Sequence, residues 1–433
     1  MDKIYTCYSL LFLTISVGIL QGCDTKKDTI CPEIIVNQPT PSSIYENGDT
    51  IRFQAVMRDE SKLSAVGISL VDENNKPLLS THSLTPDTNP FTFKGDYIID
   101  DPLLPGGVYQ LRFQALDGEN VTNHFVELQI HELEQRLLYP IVVTHPEPGK
   151  WLVYKQKEDK VWQQVYTHSG DYCGSAVNSA GSQFYLCGIS QTGITAVNLT
   201  DGNVDWTVKP GIHQSMRWFE GIQFTYPNLY SSVTEGTIRG YNKSGNEIYK
   251  SGKYSNAIPY QSVTTQNFVI SSFKDAFSNN RFLVTFHNPG GLMINNKFFE
   301  GEIASLSFVK NDKILVFSNS NGQGQISLYN GYDNILSAMH PFFGGVIFKS
   351  VVMDSDNYVL TTSSGLYCYC LSSNSLTFFA SKVCDDIACD AATQRIFACS
   401  GKILTVYSFP DAATLESYPI PDTAVALHLV FNK

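Results

Sequence analysis

Short runs in which hydrophobic and polar residues alternate recur through most of the chain. In IRFQAVM, the side chains of Ile51, Phe53, Ala55 and Met57 fall on one face of an extended strand. A period of two predicts a strand with one buried face. Because about seven such runs, separated by turns, are typical of a two-sheet domain, we predict a β-sandwich over residues 32–132.

The segment GGVYQLRFQALDGENVTN resembles the immunoglobulin-like and PKD-like modules of bacterial surface proteins, with Tyr109 placed like a tyrosine corner. No cysteine pair is positioned to bridge the two predicted sheets, so the domain is not of the antibody type. Asp59, Asp101 and Asp117 are compatible either with a cadherin-like calcium site or with carboxylates in water. We predict no metal.

A repeated unit occupies the rest of the chain. Five segments read as a glycine, an alternating strand, a polar turn and a second strand, and another strand pair precedes each of them. Their first residues are Gly193, Gly236, Gly324, Gly365 and Gly401. The interval is about 40 residues, with one double interval that holds an altered copy, and four strands per repeat are typical of a propeller blade.

Six such blades run from about residue 171 to residue 420. Three strands before them (LLYPIVVTH, WLVYKQ and VWQQVYTH) and the C-terminal TAVALHLVF would together form a seventh blade. A blade assembled from both chain ends closes the ring and covers exposed strand edges. The fold class predicted is therefore all-β, an immunoglobulin-like sandwich followed by a seven-bladed propeller over residues 137–433. The second part resembles WD40-like, YVTN and quinoprotein-like propellers, although it lacks a repeated Trp-Asp dipeptide and the YVTN signature.

The first 22 residues have the pattern of an export signal. The uncharged apolar run from Tyr8 to Leu20 is shorter than the roughly 20 residues needed to cross a bilayer. LQGC, ending at Cys23, resembles the lipobox of bacterial lipoproteins, in which the cysteine is acylated and becomes the first residue. This resemblance implies a signal peptide over 1–22, a tether over 23–31 of the Bacteroidota type, and an outer-membrane or cell-surface location. A plain secretory signal with a chance cysteine is the alternative.

Composition and charge narrow the possible partners. Hydrophobic residues make up 43% of the chain, charged residues 16%, and the formal net charge is −11. Such a chain is able to bury large cores and repels phosphate backbones, so we expect no nucleic-acid partner. The eight cysteines beyond Cys23 lack the spacing of a zinc site. We expect buried free thiols, with Cys173 and Cys187 as the nearest candidate pair.

The sequence contains no nucleophile elbow, P-loop or HExxH motif, so we predict a protein that is not an enzyme and has no cofactor. Quinoproteins on this fold carry tryptophan docking motifs and adjacent cysteines, which this chain lacks. The densest unusual stretch, MRWFEGIQFTYPNLY, contains Trp218 and Tyr226, and a second stretch contains Phe342 and Phe343. These rings either bind a glycan or peptide at a propeller rim or fill the space between blades.

A third stretch, CDDIACD, offers Asp385, Asp386 and Asp390, which would either bind a cation or face water. Resemblance to Bacteroidota lipoproteins implies a binding accessory to outer-membrane nutrient uptake, next to a TonB-dependent importer. A catalytic propeller, either hydrolase or quinoprotein-like oxidoreductase, and a purely structural envelope protein remain as alternatives.

Overall fold

The computed structural model describes residues 29–211, 217–254, 256–343 and 345–433. It consists of two compact units, residues 1–134 and residues 135–433. All regular elements in the described ranges are strands. Within those ranges no helix has the length and apolar character needed to cross a membrane. Cys23 lies outside the described residues.

The first unit contains two sheets. Its strands are β1 (Glu33–Gln38), β2 (Ser43–Glu46), β3 (Thr50–Arg58), β4 (Ala65–Val71), β5 (His82–Leu84), β6 (Phe91–Ile98), β7 (Gly107–Leu116) and β8 (Val121–His131). One sheet has the order β1-β3-β6 and the other the order β2-β8-β7-β4-β5. All of these pairs are antiparallel except β2 with β8, which is parallel.

Both sheets contribute side chains to one hydrophobic core. On β3, Ile51, Phe53, Ala55 and Met57 are all buried, as their alternation predicts, and they pack with residues of β4 and β7. The Tyr109 hydroxyl donates a hydrogen bond to the backbone oxygen four residues upstream, at 2.7 Å. That bond is the defining contact of a tyrosine corner. An immunoglobulin-like assignment of this unit remains a prediction.

The second unit contains seven four-stranded antiparallel sheets. Its strands, in chain order, are β9 (Leu137–Glu147), β10 (Lys150–Gln156), β11 (Trp162–Ser169), β12 (Gly174–Asn178), β13 (Gln183–Cys187), β14 (Ile194–Asn198), β15 (Val204–Val208), β16 (Phe219–Thr225), β17 (Asn228–Val233), β18 (Thr237–Tyr241), β19 (Glu247–Lys250), β20 (Ala257–Thr264), β21 (Phe268–Asp275), β22 (Arg281–His287), β23 (Met293–Phe299), β24 (Glu302–Lys310), β25 (Lys313–Ser320), β26 (Gln323–Asn330), β27 (Ile335–Phe343), β28 (Ile347–Val352), β29 (Asn357–Thr362), β30 (Gly365–Cys370), β31 (Ser375–Ala380), β32 (Asp386–Asp390), β33 (Arg395–Ser400), β34 (Ile403–Ser408), β35 (Thr414–Pro419) and β36 (Ala424–Phe431).

Six sheets are built from four consecutive strands each, starting with β12, β16, β20, β24, β28 and β32. The remaining sheet has the order β11-β10-β9-β36 and therefore joins the first three strands of the unit to the last. The first strands of neighbouring sheets contact one another in sequence, and β36 contacts both β32 and β12. The contacts form a closed cycle, which confirms the predicted β-propeller.

The repeated glycines lie where each sheet turns from its second to its third strand. Gly193 and Gly365 have φ angles of 71° and 129°, in the left-handed region that glycine adopts without a steric penalty. A Cβ atom added at Gly193 would lie 2.1 Å from the Val208 carbonyl oxygen, and one at Gly365 would lie 2.2 Å from that of Ala380. Backbone crowding and the positive φ therefore explain why glycine occupies these two positions.

The cores of the second unit lie between neighbouring sheets, where Val, Ile, Leu, Phe and Tyr side chains are buried. The eight described cysteines, Cys31 among them, are free thiols. Cys173 immediately precedes β12, Cys187 ends the adjacent β13, and the Cys173 N–H donates to the Cys187 backbone oxygen at 2.8 Å. Burial raises the pKa of the Cys187 thiol well above its ordinary value. It therefore stays protonated and unreactive at neutral pH.

Candidate binding site

The strands at the centre of the ring enclose a cavity of about 530 Å³. Each of the seven innermost strands contributes at least one polar side chain to its wall. These are Ser175 from β12, Gln223 from β16, Gln261 from β20, Ser305 from β24, Lys349 and Ser350 from β28, Asp386 from β32, and His428 from β36. The channel is thus a polar interior surrounded by apolar layers between the sheets.

An ion pair between Lys349 and Asp386 joins two neighbouring sheets across this channel. The Asp386 side chain is 7% exposed, and its carboxylate also accepts the backbone N–H groups of Ile387 and Leu427, each at 2.8 Å. Because Leu427 belongs to β36, the carboxylate ties the closing strand to two other sheets. Asp386 and Asp390 are both buried, so the expectation that this acidic stretch faces water is wrong for these two residues.

A hydroxyl–imidazole contact lies next to this ion pair on the channel wall, on the adjacent strands β36 and β12. The Nε2 atom of His428 is 2.8 Å from the Ser175 hydroxyl, which is 2.8 Å from the Tyr172 hydroxyl. Burial, assisted by the positive charge of Lys349, lowers the pKa of His428 to about 4. A general base works best with a pKa near the operating pH. The neutral His428 is therefore suited to holding Ser175 in place and poorly suited to activating it as a nucleophile.

A larger cleft of about 610 Å³ lies where the strands β16, β20, β24 and β28 begin. It shares Gln261, Ala304 and Phe348 with the channel wall, so the two cavities adjoin. Its lining combines three aromatic rings with charges of both signs: Tyr260, Phe273, Phe348, Glu220, Glu302, Lys274 and Arg281. Rings beside convergent polar groups are typical of sites for small polar ligands.

Glu220 is the most unusual group in this cleft. Its side chain is only 3% exposed, and one carboxylate oxygen, Oε1, lies 2.7 Å from Nε of Arg217. The other oxygen, Oε2, is buried and has no hydrogen-bond partner among the described residues. Burial raises the pKa of Glu220, and the positive charges of Arg217 and Lys274 only partly oppose that shift. An unsatisfied buried carboxylate oxygen costs about 1–3 kcal/mol or more.

One part of the cleft wall contains two cationic side chains. Lys274 on β21 and Arg281 on β22 are direct cross-strand partners, an arrangement of like charges that is unfavourable by itself. Arg281 lies 3.8 Å from the mostly exposed carboxylate of Glu302, and its guanidinium is 5.9 Å from the centre of the Tyr260 ring. The separation of Arg281 from Glu302 exceeds the 2.7–2.9 Å or so of a strong charged hydrogen bond. This wall is therefore able to accept an anionic group.

The structure places the two predicted aromatic residues at opposite ends of β16. Trp218 precedes the strand and packs partly buried against the core between sheets, with the Arg239 guanidinium 5.8 Å from its ring. A Cβ at Gly211 would lie 2.4 Å from the Trp218 ring, so the chain passes tightly over it. Tyr226 follows the strand and is 47% exposed. Neither residue lines the cleft.

The other sequence candidates do not add to the cleft. Phe342 and Phe343 end β27, and their side chains lie outside the described part of the structure. In the first unit, Asp101 and Asp117 each accept backbone N–H groups of their own turns. Among the described residues, no group of three or more His, Cys, Asp or Glu side chains is arranged to hold a metal ion.

Sequence reasoning found Glu220 only as a member of the aromatic stretch and did not identify its role. The sequence feature that could have identified Glu220 is its position among alternating apolar residues at the start of an inner strand. A carboxylate is costly to bury at such a position. Tyr260, Lys274 and Arg281 carry no local signal. They reach the cleft because the register of β20, β21 and β22 brings them there.

The likenesses to known proteins concern the fold. The computationally designed Ika8 protein matches with 13% identity and a TM-score of 0.51, over 68% of this chain and 92% of that chain. A quinoprotein alcohol dehydrogenase-like protein from Bacteroides thetaiotaomicron VPI-5482 matches with 15% identity and a TM-score of 0.48, over 92% and 99% of the two chains. BamB from Moraxella catarrhalis matches with 10% identity and a TM-score of 0.42, over 68% and 96%.

The chain matches no protein-family model and no curated protein sequence. The likeness to the Ika8 protein, at 13% identity and a TM-score of 0.51, concerns the fold alone, since one fold hosts many functions. The site must therefore be interpreted from its own residues.

Proposed function

We propose that this protein is an exported, lipid-anchored binding protein of the cell envelope, and that its propeller holds a polar organic ligand in the cleft next to the central channel. The proposed role is that of an accessory in nutrient capture, in which a glycan or peptide is retained close to a TonB-dependent importer. The lipid anchor is supported by the LQGC sequence, which ends at Cys23 and resembles a lipobox. The nutrient-uptake role is supported by the resemblance to Bacteroidota lipoproteins.

The buried Glu220 carboxylate is the observation that carries the binding proposal. A protein gains nothing for its own stability by keeping one carboxylate oxygen desolvated and, among the residues that the structure describes, without a hydrogen-bond partner. A ligand that donates a hydrogen bond to this oxygen removes the cost, which makes the cleft pre-organised for binding. Tyr260 and Phe348 supply apolar contact area on either side.

The chemistry of the channel favours binding over catalysis. The pKa of His428 lies at about 4, and the hydroxyl of Ser175 beside it therefore lacks an effective base. Tyr172, the other partner of that hydroxyl, has its pKa raised by burial and remains neutral. These three groups are more suitable for fixing the channel wall than for breaking a bond.

The test measures ligand retention by the purified mature chain, residues 23–433. Equilibrium dialysis against a malto-oligosaccharide mixture, and separately against a library of lysine-free synthetic tripeptides, would be quantified by mass spectrometry. We expect wild type to retain one of these sets. Tyr260→Ala should lose about 1–2 kcal/mol of binding free energy, whereas Tyr332→Ala, which alters an exposed tyrosine outside the cleft, should bind normally. Equal loss in both variants, or retention of neither probe set, would contradict the proposal.

A further inference from the structure

The cleft is lined by side chains of both charge signs, and this combination points to the charge pattern of its ligand. Glu220 is enclosed, and its Oε2 atom has no hydrogen-bond partner among the described residues. Lys274 and Arg281 are cross-strand partners on adjacent strands. All three residues line the same 610 Å³ space. A ligand that satisfies all three carries a cationic hydrogen-bond donor at one position and an anion at another.

Resting on the proposed function, we infer that the ligand is a short peptide with a free amino terminus, whose ammonium group pairs with the Glu220 carboxylate. Its carboxylate lies against Lys274 and Arg281. An ammonium group brings three donors and a full charge to the vacant Oε2 atom. A sugar hydroxyl brings one donor and no charge. The peptide therefore compensates the buried carboxylate more completely than a neutral glycan does.

The electrostatic balance at Glu220 supports the same choice. Arg217 and Lys274 both favour the ionised carboxylate, yet burial dominates and its pKa stays raised. These two cations therefore do not fully offset the cost of burying the carboxylate. The Arg217 side chain approaches only Oε1 and is itself half exposed, so its charge is partly screened by water. A cationic donor beside Oε2, supplied by the ligand, offsets more of the cost of burying this carboxylate.

The size of the cleft favours a peptide over a single amino acid. Sites for ligands of drug-like size have volumes of about 300–1,000 Å³, and the volume here is about 610 Å³. Tyr260 and Phe348 add apolar surface to the lining. A tripeptide has side chains that contact such rings as well as two charged ends.

Three chemical forms of one library test the inference. Lysine-free tripeptides with free ends, with acetylated amino ends and with amidated carboxyl ends are dialysed against wild type, Glu220→Gln and Glu147→Gln. The second variant is the control for loss of a glutamate charge, because Glu147 lies outside the cleft lining and its side chain is 61% exposed. Thermal unfolding of each variant shows that the fold is retained.

Acetylation and Glu220→Gln should each weaken tripeptide binding by about tenfold to a hundredfold, the range typical of a charged hydrogen bond. Amidation should also weaken it, and Glu147→Gln should change it less than about threefold because an exposed charge outside the cleft interacts weakly. Binding should weaken as the pH falls through the raised pKa of Glu220, because only the ionised carboxylate pairs with the ammonium group.

The outcomes separate the inference from the proposed function. Acetylated tripeptides that bind as well as free ones overturn the ammonium assignment, and amidated ones that do so overturn the carboxylate assignment. If malto-oligosaccharides or free amino acids are retained in place of tripeptides, and Tyr260→Ala abolishes that retention, the inference fails while the proposed cleft remains. If Tyr260→Ala has no effect on any retained probe, the proposed function fails.

Discussion

Removing the C-terminal strand should open the propeller. Truncation after Asp422 deletes β36, whose side chains Leu427, Leu429 and Val430 are 2–5% exposed. Complete burial of one such side chain contributes about 1.5–3 kcal/mol, so the three together contribute about 5–9 kcal/mol. That is comparable to the whole free energy of unfolding of a typical domain, about 5–15 kcal/mol.

The same truncation removes other interactions, and their loss lowers the free energy of unfolding further. The deletion removes the backbone ladder with β9 and the Leu427 N–H group that Asp386 accepts. It also exposes β9 as a new sheet edge, which favours aggregation. We therefore expect the truncated chain to be insoluble, or to melt at least about 10 °C below the full chain.

Circular dichroism melting of purified proteins is the assay. A control that lacks only Asn432 and Lys433, which follow β36, should stay within a few degrees of the full chain. A synthetic peptide of residues 423–433 added to the truncated protein should restore part of the lost stability. If the truncated chain melts within a degree or two of the control, the closing strand does not hold the ring together and the assignment of β36 to the first blade is wrong.

Four other predictions address single side chains. Trp218→Ala should lower the free energy of unfolding by about 3 kcal/mol because it leaves a cavity between sheets, whereas Tyr226→Ala should change it by less than about 0.5 kcal/mol. Urea denaturation measures both values, and equal effects would contradict the placement of these two rings. Asp386→Ala removes an acceptor from Leu427 N–H and should cost about 2–3 kcal/mol, and a neutral result in the same assay would show that the channel ion pair is dispensable. Because burial raises the pKa of Glu220, its charge destabilises the fold above that pKa, and this cost disappears below the pKa of glutamate in the unfolded chain. Glu220→Gln should therefore raise the free energy of unfolding at pH 7 and leave it unchanged below about pH 4. A lower free energy of unfolding at pH 7 would show that the ionised Glu220 stabilises the fold. Cys23→Ala should release the protein from membranes or leave its signal uncut, and unchanged fractionation together with an unchanged mature mass would rule out lipidation.

The repeat made much of the propeller predictable from sequence. Alternation marked the strands, and the glycines at positions such as Gly193 marked a turn that no other residue fits without backbone movement. These signals are local, since each depends on a few neighbouring residues. The pairing of β9 with β36 was inferred indirectly, because each chain end held strands without a complete sheet of their own.

The cleft was far less predictable, because its walls come from residues distant in sequence. Glu220 lies on β16, which contacts β20 of the next sheet, and no pattern around residue 220 specifies that its side chain is buried. Lys274 and Arg281 face each other only in one register of β21 and β22, and a shift of one residue would turn the side chains to the other face. The high frequency of aromatic residues in this stretch of sequence indicated Trp218 as a candidate, but Trp218 packs against the core next to β16.

Joining the two ends of the second unit in one sheet has a consequence for the order of events during synthesis. The Arg136 N–H group donates to the side-chain oxygen of Asn432, 296 positions away in sequence. Every other sheet of the second unit is built from four strands that follow one another along the chain. Contacts between such distant segments form late, because the chain entropy lost on closing a long loop precedes any gain. We expect ribosome-bound chains that lack the last strand to contain protease-resistant middle sheets and an accessible β9, and to become fully resistant only after release. An incomplete ring is therefore an obligatory intermediate, and a chaperone that shields the edge of β9 would act during that interval.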